Sequence, residues 1–344
     1  MKTTTDKLNC LINTKESIRQ EINRAYENEE IGTSDTFRSY IQKLEEQPFY
    51  TEELIEGNME HIESSNITNI GKYIFGKSRN LISMSFPETI SISESAFREC
   101  LSLTTIGATF FPKVKTIDYQ AFYGCTNLTS ISFPKVTTIG SGAFSHCSGL
   151  NNVSFPEATY ISNHAFASSG PIDVTETSFP KVTTIDEYAF VDNHDINNVY
   201  FPKVENIKDY AFSSCWGLSS VNFPNATIIG YGAFNECKCL TSVSFPNVTT
   251  IGGHAFYGRN SLTSASFPKV TTIGAEAFRN STNLKDIYIG TNTSTVCALE
   301  NINAFFGCSS LTNIYVPATL VDSYKSDPIW SSKSTILKKI KAAP

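Results

Sequence analysis

The hydrophobic positions of residues 62–318 repeat about every 22 residues. In residues 128–147, "LTSISFPKVTTIGSGAFSHC", apolar side chains stand at fixed places between runs of small polar residues. This period predicts a repeat architecture of about eleven coils. Aromatic-proline pairs mark it at Phe86, Phe111, Phe133, Phe155, Phe179, Phe201, Phe223, Phe245 and Phe267. Ala-Phe pairs mark it at Phe97, Phe122, Phe144, Phe166, Phe190, Phe212, Phe234, Phe256, Phe278 and Phe305.

The first half of each coil has the pattern of a short β-strand. Leu128, Ile131 and Phe133 form an L-x-x-I-x-F segment, whose alternation places apolar side chains on one buried face. Pro134 then ends the strand because it has no amide hydrogen to donate. We therefore expect one strand side per coil.

The second half of the coil predicts a looser side. Val136 and Ile139 turn inward, and Gly140 permits a sharp bend. The pair Ala143–Phe144 then packs as a short helical or irregular turn before Cys147 closes the coil. A single coil cannot cover its own apolar edges, so neighbouring coils must stack and pair their strands. With strands ~4.8 Å apart, about ten steps give a body roughly 50 Å long.

This repeat closely resembles the BspA-like branch of the leucine-rich repeats, whose units read L-x-x-I-x-x-P-x-x-V-x-x-I-G-x-x-A-F-x-x-C-x-x-L. The resemblance covers about three quarters of the chain. It implies an α/β repeat solenoid, with a right-handed coil and a parallel sheet on the concave side. It also implies a surface-exposed binding or adhesion module.

The N-terminal residues lack the repeat and predict a helical hairpin that ends at Pro48. Its apolar stripes are Leu8, Leu11, Ile12, Ile18, Ile22 and Ala25 in the first helix, and Phe37, Ile41 and Leu44 in the second. The segment resembles the N-terminal part of virion proteins of tailed bacteriophages and prophages. That resemblance implies an attachment module, with Phe37, Arg38 and Tyr40 as its contacts.

These patterns divide the chain into four parts. Residues 1–50 are the hairpin, and residues 51–61 are an acidic linker. Residues 62–318 are the solenoid, and residues 319–344 form a C-terminal cap over its last apolar edge. The basic stretch "KSTILKKIKAAP" within that cap is interpreted as the solvated face of a terminal helix.

Composition narrows the possible partners. The formal charge is −6, and no basic run crosses the middle of the chain, which argues against nucleic acid. No secretory signal and no 18-residue apolar stretch is apparent, so we expect neither export by that route nor membrane insertion. The nine cysteines are an odd number, which is typical of a chain made in a reducing cytoplasm.

The sequence offers little for catalysis or for a metal ion. Cysteine recurs three residues after the Ala-Phe phenylalanine, and Ser or Asn replaces it in other coils, which favours a buried ladder of small residues. The five histidines are scattered, and no nucleophile, phosphate-loop or zinc motif occurs. We therefore expect no enzyme activity, no catalytic residue, no metal and no cofactor.

The outward strand positions remain as the candidate binding surface, because Tyr, Ser and Asn together provide aromatic anchors and adaptable hydrogen bonds. The predicted contacts on this concave face are Tyr200, Tyr288, Tyr315, Asn198 and Asn313. Inserted loops at residues 107–110, 169–177 and 291–296 are the alternative.

The leading functional hypothesis is a phage virion protein, made in the cytoplasm of the bacterial host. Its N-terminal helices would contact other virion proteins, and its solenoid would bind a host-surface protein or glycan. The alternative is a bacterial surface adhesin or protein-binding repeat module, and the oligomeric state, including a homo-oligomer, stays open.

Overall fold

A computed structural model describes residues 60–65, 67–258 and 261–344. The predicted hairpin of residues 1–50 lies outside these residues, as does nearly all of the linker. The described chain is a repeat solenoid in which every strand pairs in parallel with its neighbours, so the predicted fold class is confirmed. Within the described residues, no helix has the length and apolar character needed to cross a membrane.

Each coil contributes a first strand from its L-x-x-I-x-F segment, with its central side chain turned inward. These strands are β1 (His61–Glu63), β3 (Ser83–Ser85), β5 (Thr105–Ile106), β7 (Ser130–Ser132), β9 (Asn152–Ser154), β12 (Asn198–Tyr200), β14 (Ser220–Asn222), β16 (Ser242–Ser244), β18 (Ser264–Phe267), β20 (Asp286–Ile289) and β22 (Asn313–Val316). They form short sheets of two to five strands. One interruption lies between β9 and β12, where Asp173 and Val174 make isolated bridges instead.

The coil also has a second strand, in the part that the sequence predicted to be looser. These strands are β2 (Asn69–Ile70), β4 (Ser91–Ile92), β6 (Thr116–Ile117), β8 (Thr138–Ile139), β10 (Tyr160–Ile161), β11 (Thr184–Ile185), β13 (Asn206–Ile207), β15 (Ile228–Ile229), β17 (Thr250–Ile251), β19 (Thr272–Ile273) and β21 (Ala298–Leu299). They form one continuous sheet of 11 strands. The expectation of a single strand side was therefore wrong, and the β-branched Thr and Ile residues at these positions explain why.

The looser side of the coil is the Ala-Phe turn. Its backbone takes a left-handed conformation twice, two residues before and two residues after the phenylalanine. Around Phe144 these residues are Gly142 (φ 61°) and His146 (φ 59°). Both of their N–H groups donate to the next coil, as does that of Phe144, which donates to Ala165 O at 2.8 Å. The inter-coil hydrogen bonds stabilise a conformation that non-glycine residues otherwise avoid.

Two stacks of phenylalanine fill the core. The Ala-Phe rings lie nearly parallel from coil to coil, as in the pair Phe190–Phe212 (5.1 Å between centroids, 3°). The aromatic-proline rings form a second stack, and the two stacks meet mostly edge to face, as in Phe212–Phe223 (5.8 Å, 64°). Offset and edge-to-face contacts are both favourable for aromatic rings.

The cysteine position carries a buried hydrogen-bond donor. Cys147 Sγ donates to Phe122 O at 3.2 Å, and Ser169 Oγ donates to Phe144 O at 2.7 Å. Asn193 Nδ2 makes the same bond to Phe166 O at 2.7 Å. In most coils this carbonyl also accepts from the N–H three residues later, as Phe122 O does from the Cys125 N–H at 3.3 Å, so the side chain supplies a second hydrogen bond in the core. The predicted ladder of buried thiols is present. What its members share is a side-chain hydrogen-bond donor, which Cys, Ser or Asn can supply.

The C-terminal residues cover the last coil. They comprise α1 (Val321–Ser326), a 3₁₀ turn (Trp330–Ser332), α2 (Ser334–Leu337) and β23 (Ile340–Ala342). Trp330 is fully buried, and its indole N–H donates to Cys297 O at 2.8 Å. The interpretation of "KSTILKKIKAAP" as a helix face was only partly right, because β23 pairs in parallel with β22. The last strand of a sheet has an edge of unpaired backbone groups, and β23 pairs with that edge of β22. The sequence pattern alone did not reveal this pairing.

Phe212→Ala should lower the free energy of unfolding by ~3–5 kcal/mol, because it leaves a cavity between two stacked rings. Phe306→Ala is the control, since that ring is 49% exposed, and it should cost less than about 1 kcal/mol. Urea denaturation followed by circular dichroism measures both. Similar losses in the two variants would contradict the assignment of the stacked rings as the core.

The buried thiols should make stability depend on pH above 9. Burial raises the pKa of Cys125 from 9.0 to about 12. In the unfolded chain the thiol ionises first, so rising pH favours unfolding. The stability from this group is therefore complete below pH 9 and is lost as the pH rises toward 12.

We expect Cys125→Ser to make the decline of the denaturation midpoint between pH 9 and 11 shallower. Serine preserves the donor, as Ser169 and Ser281 do. Cys239→Ser is the control, since Cys239 is exposed, and its pH profile should match that of the unmodified protein. The explanation fails if the two variants have the same profile.

Candidate binding surface

The predicted contact residues lie where strand alternation places them. In β20, Ile287 is buried and Tyr288 is half-buried on the outer face. Tyr315 in β22 and Tyr200 in β12 occupy the same outward position in their coils. Since successive strand residues point to opposite faces, the buried residue in each strand fixes the outward direction of its neighbours.

Two of the three tyrosines meet in one cluster. The Tyr288 and Tyr315 rings stack with centroids 4.6 Å apart and an interplanar angle of 23°. Beside them, Asn313 Nδ2 donates to Asp286 Oδ1 at 2.6 Å, and Lys341 Nζ donates to Asn313 Oδ1 at 2.5 Å. We call these five residues the tyrosine patch. Their hydrogen bonds fix the polar side chains beside the ring pair.

Tyr200 and Asn198 do not belong to this cluster. Their register partners in β14 are Asn222 and Ser220, which are not aromatic. Tyr200 lies four coils before Tyr288, a separation of ~19 Å at ~4.8 Å per coil. The structure therefore brings together three of the five predicted strand residues. The predicted attachment residues Phe37, Arg38 and Tyr40 lie outside the described residues.

Two members of the patch, Asp286 and Lys341, were not among the predicted contacts, and Lys341 was not expected on this surface at all. It lies in β23, and its register partner is Tyr315. The signal was weak, because a lysine in "KKIKAAP" resembles any solvated basic residue. Lys341 lies in the patch only because β23 of the cap pairs with β22 of the last coil.

The inserted loops are held by the scaffold. In residues 169–177, Asp173 and Val174 bridge to strands of neighbouring coils. In residues 291–296, Thr293 Oγ1 donates to Gly290 O at 2.7 Å. In residues 107–110, the Phe110 N–H donates to Gly107 O at 2.9 Å, and the ring packs against the core. Each loop makes contacts that support the coils, and in residues 169–177 the hydroxyl groups of Thr175 and Thr177 also lie 3.1 Å apart.

A row of aromatic side chains on the Ala-Phe turns was not predicted. The pairs His164–Tyr188 and Tyr188–Tyr210 stack at 4.9 Å and 5.0 Å, with interplanar angles of 15° and 9°. The row continues through Tyr231 and His254. A signal existed, since Tyr or His recurs just before Ala-Phe in these coils. We call these five residues the turn ladder.

The turn ladder is stacked only over its first part. Tyr188 lies between the rings of His164 and Tyr210, whereas Tyr210 and Tyr231 meet edge to face at 62°. Trp216 also has neighbours on its ring, because it lies between the His194 ring at 3.9 Å and Lys238 Nζ at 4.1 Å. These contacts add cross-coil stability, and cation–π pairs of this kind contribute favourably at exposed sites.

Burial shifts the pKa of several titratable groups in the described residues. Burial raises the pKa of Cys297 and Cys308 to about 12, so these thiols stay protonated at neutral pH. Partial burial lowers the pKa of His164, which stacks on Tyr188. Among residues 60–65, 67–258 and 261–344, no group of three or more His, Cys, Asp or Glu side chains could hold a metal ion.

Comparison with solved structures shows the same fold elsewhere. A leucine-rich repeat protein from Bacteroides ovatus is 21% identical, with 85% of each chain covered and a TM-score of 0.52. A leucine rich cell surface protein from Faecalibacterium prausnitzii is 19% identical, with 83% of this chain and 82% of that chain covered and a TM-score of 0.36. No curated protein matches the sequence.

The family model described as "BspA type Leucine rich repeat region (6 copies)" matches residues 11–128, 115–241 and 205–326. These ranges overlap and include most of the chain. Together they extend from residue 11 to residue 326. The chain belongs to the BspA-type leucine-rich repeat family.

Proposed function

We propose that this chain is a non-enzymatic adhesion protein whose solenoid binds a host-surface protein or glycan through the tyrosine patch. The observation that carries this proposal is the stacked Tyr288–Tyr315 pair on the outer face of the strands. Tyrosine contributes a large amphipathic contact area at a low cost in conformational entropy. The adjacent hydrogen-bonded side chains reduce that cost further because they are already positioned.

A binding role is consistent with the structural part that the cysteines and histidines of the described coils play. The described thiols of the cysteine ladder donate to backbone carbonyls in the core, as Cys215 and Cys237 do. The histidines of the turn ladder stack on neighbouring rings. These groups support the scaffold, which leaves recognition to the outward positions that differ between coils.

We further propose that residues 1–50 attach the solenoid to the virion of a tailed bacteriophage. The support is the resemblance of this segment to N-terminal parts of virion proteins, with Phe37, Arg38 and Tyr40 as the contacts. On this proposal the protein is made in the cytoplasm of the bacterial host and is assembled with other virion proteins. A bacterial surface adhesin would carry the same solenoid without that assembly.

The double variant Tyr288→Ala/Tyr315→Ala should bind intact host cells at least tenfold more weakly than the unmodified full-length chain. Its denaturation midpoint should change little, because a cross-strand pair on the outer face contributes only ~0.2–1 kcal/mol. Tyr200→Ala is the matched control, with the same strand position and no role in the patch. Flow cytometry with labelled protein measures binding, and equal binding by all three proteins would refute the proposal for the patch.

Location needs a separate measurement. Antibody labelling of purified particles should detect the chain on the virion, and deletion of residues 1–50 should remove it from particles. Protease treatment of intact bacterial cells that releases solenoid peptides would instead favour a cell-surface adhesin. That outcome would refute the virion assignment and leave the adhesion role in place.

A further inference from the structure

Beside the tyrosine patch lies a polar surface whose side chains make no hydrogen bonds to other described residues. The three coils before Tyr288 carry outward side chains that are all uncharged and small. We call this surface the serine shelf, and its members are Ser220, Asn222, Ser242, Ser244, Ser264 and Ser266. The shelf extends ~15 Å along the solenoid axis, at ~4.8 Å per coil.

The hydroxyl and amide groups of the shelf are available to a ligand. In the described part of the chain, none of the six side chains makes a hydrogen bond to another residue. Other hydroxyls of the same coils behave differently, since Thr263 Oγ1 donates to Thr241 O at 3.1 Å and Ser219 Oγ donates to Asn197 O at 3.2 Å. Hydroxyl groups just before the strand therefore bond to the neighbouring coil, as those of Ser219 and Thr263 do. Hydroxyl groups at the outward strand positions of the shelf have no partner among the described residues.

Tyr288 adds an open ring face at the end of the shelf. One face of its ring is covered by Tyr315, which follows it along the axis. The opposite face is therefore directed toward the preceding coil, where the register partner is Ser266. A serine side chain is too short to cover an aromatic ring. The patch thus offers an apolar ring face, Asp286 and Asn313 beside it, and unpartnered hydroxyl groups beyond it.

We infer that this surface binds a neutral glycan chain that lies along the solenoid axis, with one sugar ring against the open face of Tyr288. The inference rests on the proposed adhesion function and names the class of its ligand. The carbon-bound hydrogens of a pyranose ring pack against an aromatic face, and its hydroxyls exchange hydrogen bonds with serine, asparagine and aspartate.

Charge and spacing favour a neutral glycan over the other occupants. No shelf residue is charged, and the patch carries one acidic and one basic residue, Asp286 and Lys341, which are joined through Asn313. The surface therefore has no net charge to attract a nucleic acid, a sulfated chain or a charged peptide. The outward hydroxyl groups of the shelf recur once per coil, at ~4.8 Å along the axis, so an extended chain of sugars can lie along them. Successive sugars can therefore meet equivalent hydroxyls on successive coils.

Isothermal titration calorimetry of the full-length chain tests this inference with three classes of probe. The probes are a panel of neutral hexasaccharides (cellohexaose, xylohexaose and mannohexaose), a charged hyaluronan hexasaccharide and an uncharged Gly-Ser-Asn peptide. We expect at least one neutral hexasaccharide to bind and the other two probes not to bind. Binding of the peptide or hyaluronan alone, or of no probe, would overturn the inference.

Two variants locate the site. Tyr288→Ala should raise the Kd of the bound hexasaccharide about tenfold or more, because the ring contact is lost. Ser266→Tyr should do the same while keeping Tyr288, because a third stacked tyrosine covers the open face. Tyrosine already occupies this strand position in three coils, so the substitution suits the fold. Tyr200→Ala is the control and should leave the Kd unchanged.

Hexasaccharide binding that both variants leave unchanged would place the glycan elsewhere and overturn the inference. This result is distinct from failure of the adhesion proposal. If host-cell binding still depends on Tyr288 and Tyr315 while no neutral hexasaccharide binds, the ligand is not a neutral glycan and the adhesion role survives.

Discussion

Every part of this structure depends on the requirement that one coil match the next. The Ala-Phe turn imposes it most strictly, since its N–H groups donate to the following coil and its phenylalanine stacks on the equivalent ring, as Phe144 does on Phe166 (5.5 Å, 11°). A turn of different shape would lose both the hydrogen bonds and the ring contact. The period of about 22 residues is therefore a packing constraint, and it limits variation to positions that point outward.

The position three residues after the Ala-Phe phenylalanine can hold different residue types without disturbing the match between coils. Cys125, Ser281 and Asn193 each provide a side-chain donor to the phenylalanine carbonyl of the preceding coil. Phe97 O also accepts from the Cys100 N–H at 3.3 Å, so the side-chain donor gives this buried carbonyl its second hydrogen bond. The residue type is thus free to change while the hydrogen bond is kept, which explains why cysteine here indicates neither a disulfide nor a metal site.

The outward surfaces differ in what they can offer a partner. In the turn ladder, the rings of His164 and Tyr210 stack on the two sides of Tyr188, so this contact stabilises neighbouring coils. The strand surface has one interrupted stack, in which Tyr288 is covered on one side and faces Ser266 on the other. An interruption of a stack leaves a ring face for a ligand, whereas a continuous stack does not. The cap contributes as well, because Lys341 completes the polar side of the patch.

The sequence by itself determined the repeat, the buried positions, the first strands and the absence of recognisable catalytic motifs. Periodicity is read from residues that are close in the sequence. The burial of Leu128 and Phe133 could therefore be predicted without the positions of the neighbouring coils. It also selected Tyr288, Tyr315 and Asn313 as outward residues. Its expectation of a looser side was wrong for Thr138–Ile139, where two residues are too few for a strand signal.

Tertiary structure decided what lies next to what. Sequence could not distinguish Tyr200 from Tyr288, because both occupy the same place in the repeat. Only the stacking order gives Tyr288 an aromatic neighbour at Tyr315 and gives Tyr200 a neighbour at Asn222. Lys341 reaches the patch only because β23 pairs with β22. The physical reason is that outward side chains interact across coils, between residues more than 20 positions apart in the sequence.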